Sequence, residues 1–305
     1  MIRKFYIFLF LIFLVCNNSY SKSPPPGTGT SNIPANILIM LDNSGSMAWD
    51  INGNTISSWN KYVSQPSDVV VDSKGFIYVL QMSNKRIKVF DDSGTYVKEI
   101  GTCSSTYPVQ FDIYNDTIYV LDYANESVKV IPISSGNCVK QSQGYGYWSA
   151  NGIAVSNNYV YIGGFTQYYQ SYIRVLNNSS LNQVNLHNRY PDFYSMGGID
   201  VNSDNTKLVT ASYYGHKVCV FNISGSSLGS CQQIGNAGWG SSNGSFKYPG
   251  DAKFDSNGNI FVADMANYRI QKFNSSGSYV SRYGYSYSYS GPFRNLHGLG
   301  VSPVD

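Results

Sequence analysis

Charge is scarce in this chain. Of 305 residues only 13% are Asp, Glu, Lys or Arg, while tyrosine alone occurs 27 times. That balance excludes a charged disordered protein and suits a β-rich extracellular surface. The formal net charge is +3. Two of those charges, Arg3 and Lys4, fall in a segment expected to be removed, which leaves about +1. No basic patch is present, so nucleic acid is not an expected partner. No Cys-x-x-Cys spacing marks a zinc site. No stretch after residue 60 carries the period of an amphipathic helix. The longest apolar run, Phe5–Val15, has eleven residues, too few to span a bilayer comfortably. No paired carboxylates and no nucleophile–base arrangement stand out among the recurring aspartates, so the chain is expected not to be an enzyme.

The start of the chain has the order of a secretion signal. Arg3 and Lys4 precede the apolar run, and Ser19-Tyr20-Ser21 offers small residues for cleavage after Ser21. Residues 1–21 are therefore expected to be a signal peptide, with an uncleaved N-terminal anchor as the competing reading. Cys16 raises a lipoprotein, but Val15 before it is a poor fit. Lys22–Asn32, KSPPPGTGTSN, lies within a Pro/Gly/Ser-rich linker over residues 22–35. Export implies an oxidising compartment, either the periplasm or the cell surface, and no stable membrane span after cleavage. Four cysteines then remain. Cys219 and Cys231 fall on neighbouring strands of one repeat and are expected to pair, which leaves Cys103–Cys138 as the second disulfide.

What the chain has in abundance is a repeat. First strands read QPSDVVVD from Gln65, YPVQFDIY from Tyr107, SANGIAVS from Ser149, SMGGIDVN from Ser195, YPGDAKFD from Tyr248 and NLHGLGVS from Asn295. Second strands follow at Phe76, Thr117, Tyr159, Lys207 and Asn259. Third strands follow at Arg86, Ser127, Tyr172, Lys217 and Arg269. Alternating apolar residues between Asn/Gly/Ser turns predict antiparallel strands. Equivalent positions 66, 108, 150, 196, 249 and 296 are 42 to 53 residues apart. Four strands per unit at that period predict an all-β fold, a β-propeller over residues 60–305. The last first strand, Leu296–Val301, has nothing after it. A six-bladed ring is therefore expected, its sixth blade shared between N- and C-terminal strands, which would remove exposed sheet edges.

The pattern P-x-G/D-h-x-h-D, then G-x-I-Y/F-V-x-D, then N-x-R-I resembles NHL repeats. Asn84-Lys85-Arg86-Ile87 and Asn267-Tyr268-Arg269-Ile270 carry it best. Repeat two keeps Asn125 but has Glu126-Ser127. The resemblance implies an NHL-type propeller. NHL propellers include binding platforms, lyases and hydrolases, so function stays open.

Residues 36–59 admit two readings. Asn36–Met47, NILIMLDNSGSM, resembles the first strand and metal loop of von Willebrand factor A domains, and especially type IV pilus-tip adhesins that join such a domain to a propeller. The resemblance implies a partial site in which Asp42 supplies charge and Ser44 and Ser46 neutral oxygens to Mg²⁺ or Ca²⁺. Binding is expected to be weak, because the later A-domain ligands are missing. Alternatively, Ile37–Asp42, Met47–Ile51 and Thr55–Trp59 are the second, third and fourth strands of the closing blade.

Candidate catalytic groups are few. Some NHL-type lyases hold zinc through axial histidines, but His187, His216 and His297 are not at equivalent positions. They are expected to be unrelated. Asp72, Asp122, Asp255 and Asp264 recur at strand ends and are expected to bond turn backbone. Tyr283–Gly291, YGYSYSYSG, reads either as a contact loop or as a spacer. The functional expectation is an exported surface or pilus-associated adhesion protein that binds a protein or glycan on a propeller face. The alternative is a metal-dependent propeller lyase or hydrolase.

Overall fold

The computed structural model describes residues 37–41, 63, 65–91, 95–146, 149–188, 193–236, 238–284 and 296–301. The first strand, β1 (Ile37–Leu41), stands apart from the repeats. Blade 1 holds β2 (Pro66–Val71), β3 (Ile77–Gln81), β4 (Arg86–Phe90) and β5 (Tyr96–Gly101). Blade 2 holds β6 (Pro108–Tyr114), β7 (Thr117–Asp122), β8 (Ser127–Pro132) and β9 (Lys140–Gln141). Blade 3 holds β10 (Ser149–Val155), β11 (Tyr159–Phe165), β12 (Ser171–Asn177) and β13 (Gln183–Asn188). Blade 4 holds β14 (Met196–Val201), β15 (Lys207–Ser212), β16 (Lys217–Ser224), a short β17 (Ser227–Leu228) and β18 (Gln232–Ile234). Blade 5 holds β19 (Pro249–Phe254), β20 (Ile260–Asp264), β21 (Arg269–Phe273) and β22 (Tyr279–Gly284). The last strand is β23 (Leu296–Val301).

Every blade is an antiparallel meander, and β23 pairs antiparallel with β1, Ile39 opposite Leu299. The chain is an all-β propeller. Five blades have four or more strands. The sixth sheet has two, where a full blade shared between the termini was expected. The strands assigned by sequence to Met47–Ile51 and Thr55–Trp59 lie outside the described residues. β23 nonetheless packs against both β2 and β19.

Burial follows from that geometry. Second strands are covered by neighbouring blades on both faces, so β3 and β20 are buried at every position. Outer strands have one free edge, and half of β5 and all of β9 are exposed. The apolar cores therefore lie between blades. Leu121, Val128 and Val130 of blade 2 meet Ile153, Val160 and Ile162 of blade 3. Phe261, Ala263 and Ile270 of blade 5 meet Leu299 of β23. Each such fully buried Ile, Leu or Phe contributes roughly 1.5–3 kcal/mol.

The turns between first and second strands use side-chain oxygens as the sequence suggests. Asp72 Oδ1 accepts from the Lys74 and Phe76 amides, and Asp255 Oδ1 from those of Asn257 and Asn259. Disulfides join Cys103 to Cys138 and Cys219 to Cys231, with Cα atoms 5.5 and 5.2 Å apart. The first couples the loop after blade 1 to the outer edge of blade 2. The second lies within blade 4, where Cys231 sits just before the fourth strand. Two disulfides suit an oxidising environment. Among the described residues no helix is long and apolar enough to cross a membrane.

Candidate functional site

Two places gather polar or aromatic chemistry: the axis and one face. At the axis the cause is backbone hydrogen bonding. Each first strand pairs on one side only, so the amides of its other edge need partners. Asp68 Oδ1 accepts from its neighbour Val69, and Oδ2 from Phe111 of β6 at 3.0 Å. Asp112 accepts from Ile113 and from Val155 of β10. Asp200 accepts from Phe254 of β19 at 2.7 Å. Asp251 accepts from Ala252 and from Leu299 of β23 at 2.9 Å. Lys253 Nζ returns from β19 to the Ile199 carbonyl of β14, 3.2 Å away. Each aspartate thus staples its strand to the next around the ring. Between β10 and β14 no side chain fits: a Cβ on Gly152 would lie 2.8 Å from the Gly197 carbonyl.

Four carboxylates and one ammonium are then held in a confined volume. Burial pushes Asp68 and Asp200 up to about 7, against the pull of Lys253. Burial also raises Asp112 and Asp251. Burial opposes the Lys253 charge, but the four carboxylates outweigh it and hold the lysine above its ordinary range. Asp112, Asp200 and Lys253 line a cavity of about 490 Å³ that opens among the first-to-second-strand turns. Among the described residues no three His, Cys, Asp or Glu side chains converge to hold a metal ion. Asp68, Asp112 and Asp251 commit both carboxylate oxygens to amides and Asp200 commits Oδ2, so the cluster acts first as a hub for the ring.

The opposite face is built from loops that enter first strands and from second-to-third-strand turns. Seven aromatic side chains are exposed among the described residues: Tyr107, Tyr123, Tyr168, Tyr169, Tyr194, Tyr214 and Trp239. All seven lie on this face. The exposed large aliphatics, Val97, Val139, Val184 and Val280, lie at the outer edges of blades instead. Across blades 3 to 5 the rings touch in sequence. Phe165 stacks on Tyr169, Tyr169 meets Tyr214 edge-on at 5.9 Å, Tyr214 meets Tyr213 at 5.0 Å, and Tyr213 meets Tyr248 at 4.9 Å. His216 ends the chain 4.6 Å from Tyr248 and accepts the Tyr248 amide on Nδ1. Burial, then the nearby Lys247 charge, push His216 down, so it is neutral at neutral pH, as that bond requires. Lys247 itself lies over the Trp239 ring at 4.9 Å.

Buried clasps hold this face. Asp264 and Arg269 are both fully buried, with Nε 2.7 Å from Oδ2. Arg269 also donates to the Ser241, Ser242 and Ser245 carbonyls, and Asp264 accepts the Lys247 amide. Together they fix the loop that carries Lys247 and Tyr248. In blade 2 Asp122 accepts from the Thr106 and Tyr107 amides. In blade 4 Ser212 Oγ accepts the Tyr194 amide and donates to its carbonyl. The residue before the third strand has positive φ in four blades, at Lys85 (57°), Glu126 (51°), His216 (52°) and Tyr268 (52°). Its recurrence marks a turn geometry of the repeat, held against its strain by the clasps.

Asp42, Ser44 and Ser46 lie outside the described residues, as does Tyr-rich 285–291. His187 sits in β13 against the Ser226 carbonyl and His216 in the blade 4 turn. Only the backbone of His297 is described, in β23. Asp72 and Asp255 bond turn backbone as expected. Asp122 and Asp264 do more, since each clasps the loop of its own blade. The axial residues Asp68, Asp112, Asp200, Asp251 and Lys253 were missed. Their signal was polar side chains at two alternating positions of otherwise apolar first strands.

No protein-family model and no curated protein matches the chain. Solved structures do. A chain of a nidogen/laminin complex superposes with a TM-score of 0.64 over 78% of this chain and 85% of that one, at 11% identity. A chain of Kuenenia stuttgartiensis hydrazine synthase gives 0.55 over 70% of this chain and 65% of that one, at 13% identity. At these identities the likeness establishes the propeller fold alone.

Proposed function

We propose that the chain is an exported protein of the cell surface or of a pilus, and that its propeller is a platform which binds a protein or glycan through the aromatic face. The observation that supports this most is the sorting of all seven exposed aromatic side chains among the described residues onto one face. Tyrosine and tryptophan offer large contact area at low entropic cost, with a polar tip for hydrogen bonding. The fold is compatible with that role, and one of its structural neighbours is a chain of a nidogen/laminin complex. Export is supported by the two disulfides and by the order of residues 1–21. A six-bladed NHL-type ring is supported by β23, which packs against both β2 and β19 and pairs with β1. An A-domain origin for DNSGSM is compatible with that pairing, and any Mg²⁺ or Ca²⁺ held by Asp42, Ser44 and Ser46 would be weakly bound.

An array of glycans and matrix proteins, probed with the whole chain and with a Tyr213→Ser/Tyr214→Ser variant, tests the platform. Binding lost in the variant, at an unchanged melting temperature, is the expected result. Binding that survives in the variant, or an array without any ligand, would refute it. One observation favours the enzymatic alternative: the raised carboxylates Asp68 and Asp200, with Asp200 lining the axial cavity. Stoichiometric zinc lost on His297→Ala would support a metal-dependent lyase or hydrolase.

A further inference from the structure

The aromatic face has a sign as well as a texture. In its loops, among the described residues, the only carboxylate is Glu126, which is fully buried with Arg174 Nε 2.7 Å from its Oε1. Asp122 and Asp264, at the ends of β7 and β20, are fully buried too. The cations of the same face reach solvent: Lys85 is exposed and Lys247 half-buried. Lys247 lies beside the ring chain, over Trp239 and close enough to His216 to depress it. The carboxylates of the first-to-second-strand turns and the axis lie toward the other face. Among the described residues, a ligand for the aromatic face therefore meets positive charge with no exposed acid to oppose it.

The polar inventory narrows the ligand further. Among the described residues the hydroxyls of Tyr169, Tyr213, Tyr214 and Tyr248 have no hydrogen-bond partner. Gln167 and Gln170 are exposed beside them. Among the described residues no large aliphatic or methionine side chain is fully exposed on this face, where Met82 and Met265 are half-buried, whereas protein-binding patches mix aromatics with apolar and methionine side chains. A pyranose ring has a C–H face that stacks on an aromatic ring and a hydroxyl rim that bonds phenols and amides. Its carboxylate, when present, pairs with an ammonium.

We infer that the ring chain from Tyr169 through Tyr214 to Tyr248, with Lys247 and Trp239 beside it, binds an anionic carbohydrate of the uronic-acid class. This rests on the aromatic face being the platform. The rings take the sugar faces, the free phenols take the hydroxyls, and Lys247 takes a carboxylate.

Calorimetric titration of the whole chain with hexagalacturonate, maltohexaose and a six-nucleotide oligothymidine tests it. Hexagalacturonate should bind and weaken as salt rises, because the charged contact is exposed. Tyr214→Ala should weaken it about tenfold, the order expected for loss of one stacking ring. Lys247→Gln should weaken hexagalacturonate and remove most of its salt dependence. Tyr214 is exposed and Lys247 half-buried, so both variants should keep the wild-type melting temperature. Equal binding of maltohexaose would overturn the anionic part. Tighter binding of oligothymidine, whose bases also stack on aromatics beside cations, would overturn the carbohydrate class. No hexagalacturonate binding, with a protein ligand of the array lost on Tyr213→Ser/Tyr214→Ser, would sink this inference while the platform stands.

Discussion

Replacing Arg269 with methionine probes the network beneath the aromatic face. The guanidinium is fully buried and makes four hydrogen bonds, one to Asp264 and three to carbonyls of the 241–245 loop. Methionine fills much of the volume but removes every donor. Asp264 then stays buried with Asn267, Gln271 and the Lys247 amide as donors and no counter-charge. Breaking one side of a buried pair typically costs about 3–5 kcal/mol. Losing the donors to the carbonyls adds less, because Ser241 and Ser242 are exposed and water replaces the arginine there. A loss of about 4 kcal/mol is a large fraction of the roughly 5–15 kcal/mol that holds a domain folded. For a propeller of this size it should lower the melting temperature by about 10 °C. Arg269→Lys keeps the charge but not the fork, and should fall between wild type and methionine. Denaturant unfolding followed by tyrosine fluorescence measures all three. An Arg269→Met variant within about 1 kcal/mol of wild type would refute the claim that this clasp organises the loop carrying Lys247 and Tyr248.

Other outcomes follow from the same structure. Asp68 and Asp200, at about 7 in the folded chain and near 3.9 when unfolded, bind protons more tightly in the native state. Their contribution is therefore full below about pH 4 and is lost as pH rises towards 7. Between those limits the axial cluster makes stability fall with rising pH, and Asp200→Asn should flatten the profile of melting temperature from pH 5 to 8. A wild-type profile that rises through that window as steeply as the variant's would contradict the assignment. Opening Cys103–Cys138, which spans 35 residues, by Cys103→Ser/Cys138→Ser should cost about 4 kcal/mol from loop entropy. A denaturation midpoint unchanged from wild type would count against it. A Cβ at Gly198 would lie 1.7 Å from Asp251 Oδ1, so Gly198→Ala should destabilise by several kcal/mol, roughly as a buried hydrogen-bonded group loses its place, and Asp251→Gly should relieve part of the loss in the double variant.

Strand positions were legible because each depends on local facts. In Asn259–Asp264 an apolar run stands between an Asn-Gly turn and an Asx-type end, and β20 forms there. The lone strand at Leu296–Val301 was legible for the same reason, and β23 forms there. The axial staples were hidden because their meaning is not local. Asp112 in Phe-Asp-Ile looks like an ordinary polar alternation until the Val155 amide, 43 residues on, is brought against it. The aromatic face was half visible. Tyr107 and Tyr248 open their first strands and Tyr123 and Tyr213 follow their second strands, but only the antiparallel path puts all of them at one end of the blades. The clasp at Arg269 was seen as a repeat motif, while its burial came from the 241–245 loop folding over it.

The central claim is that this propeller works by binding through one face, and hydroxyl-radical footprinting of the whole chain with a ligand from the array tests it most directly. Protection should fall on Phe165–Gln170, Tyr213–His216 and Trp239–Tyr248. Protection confined to the opposite turns, at Asp72–Gly75, Asn115–Asp116, Asn202–Asn205 and Asp255–Gly258, would contradict it.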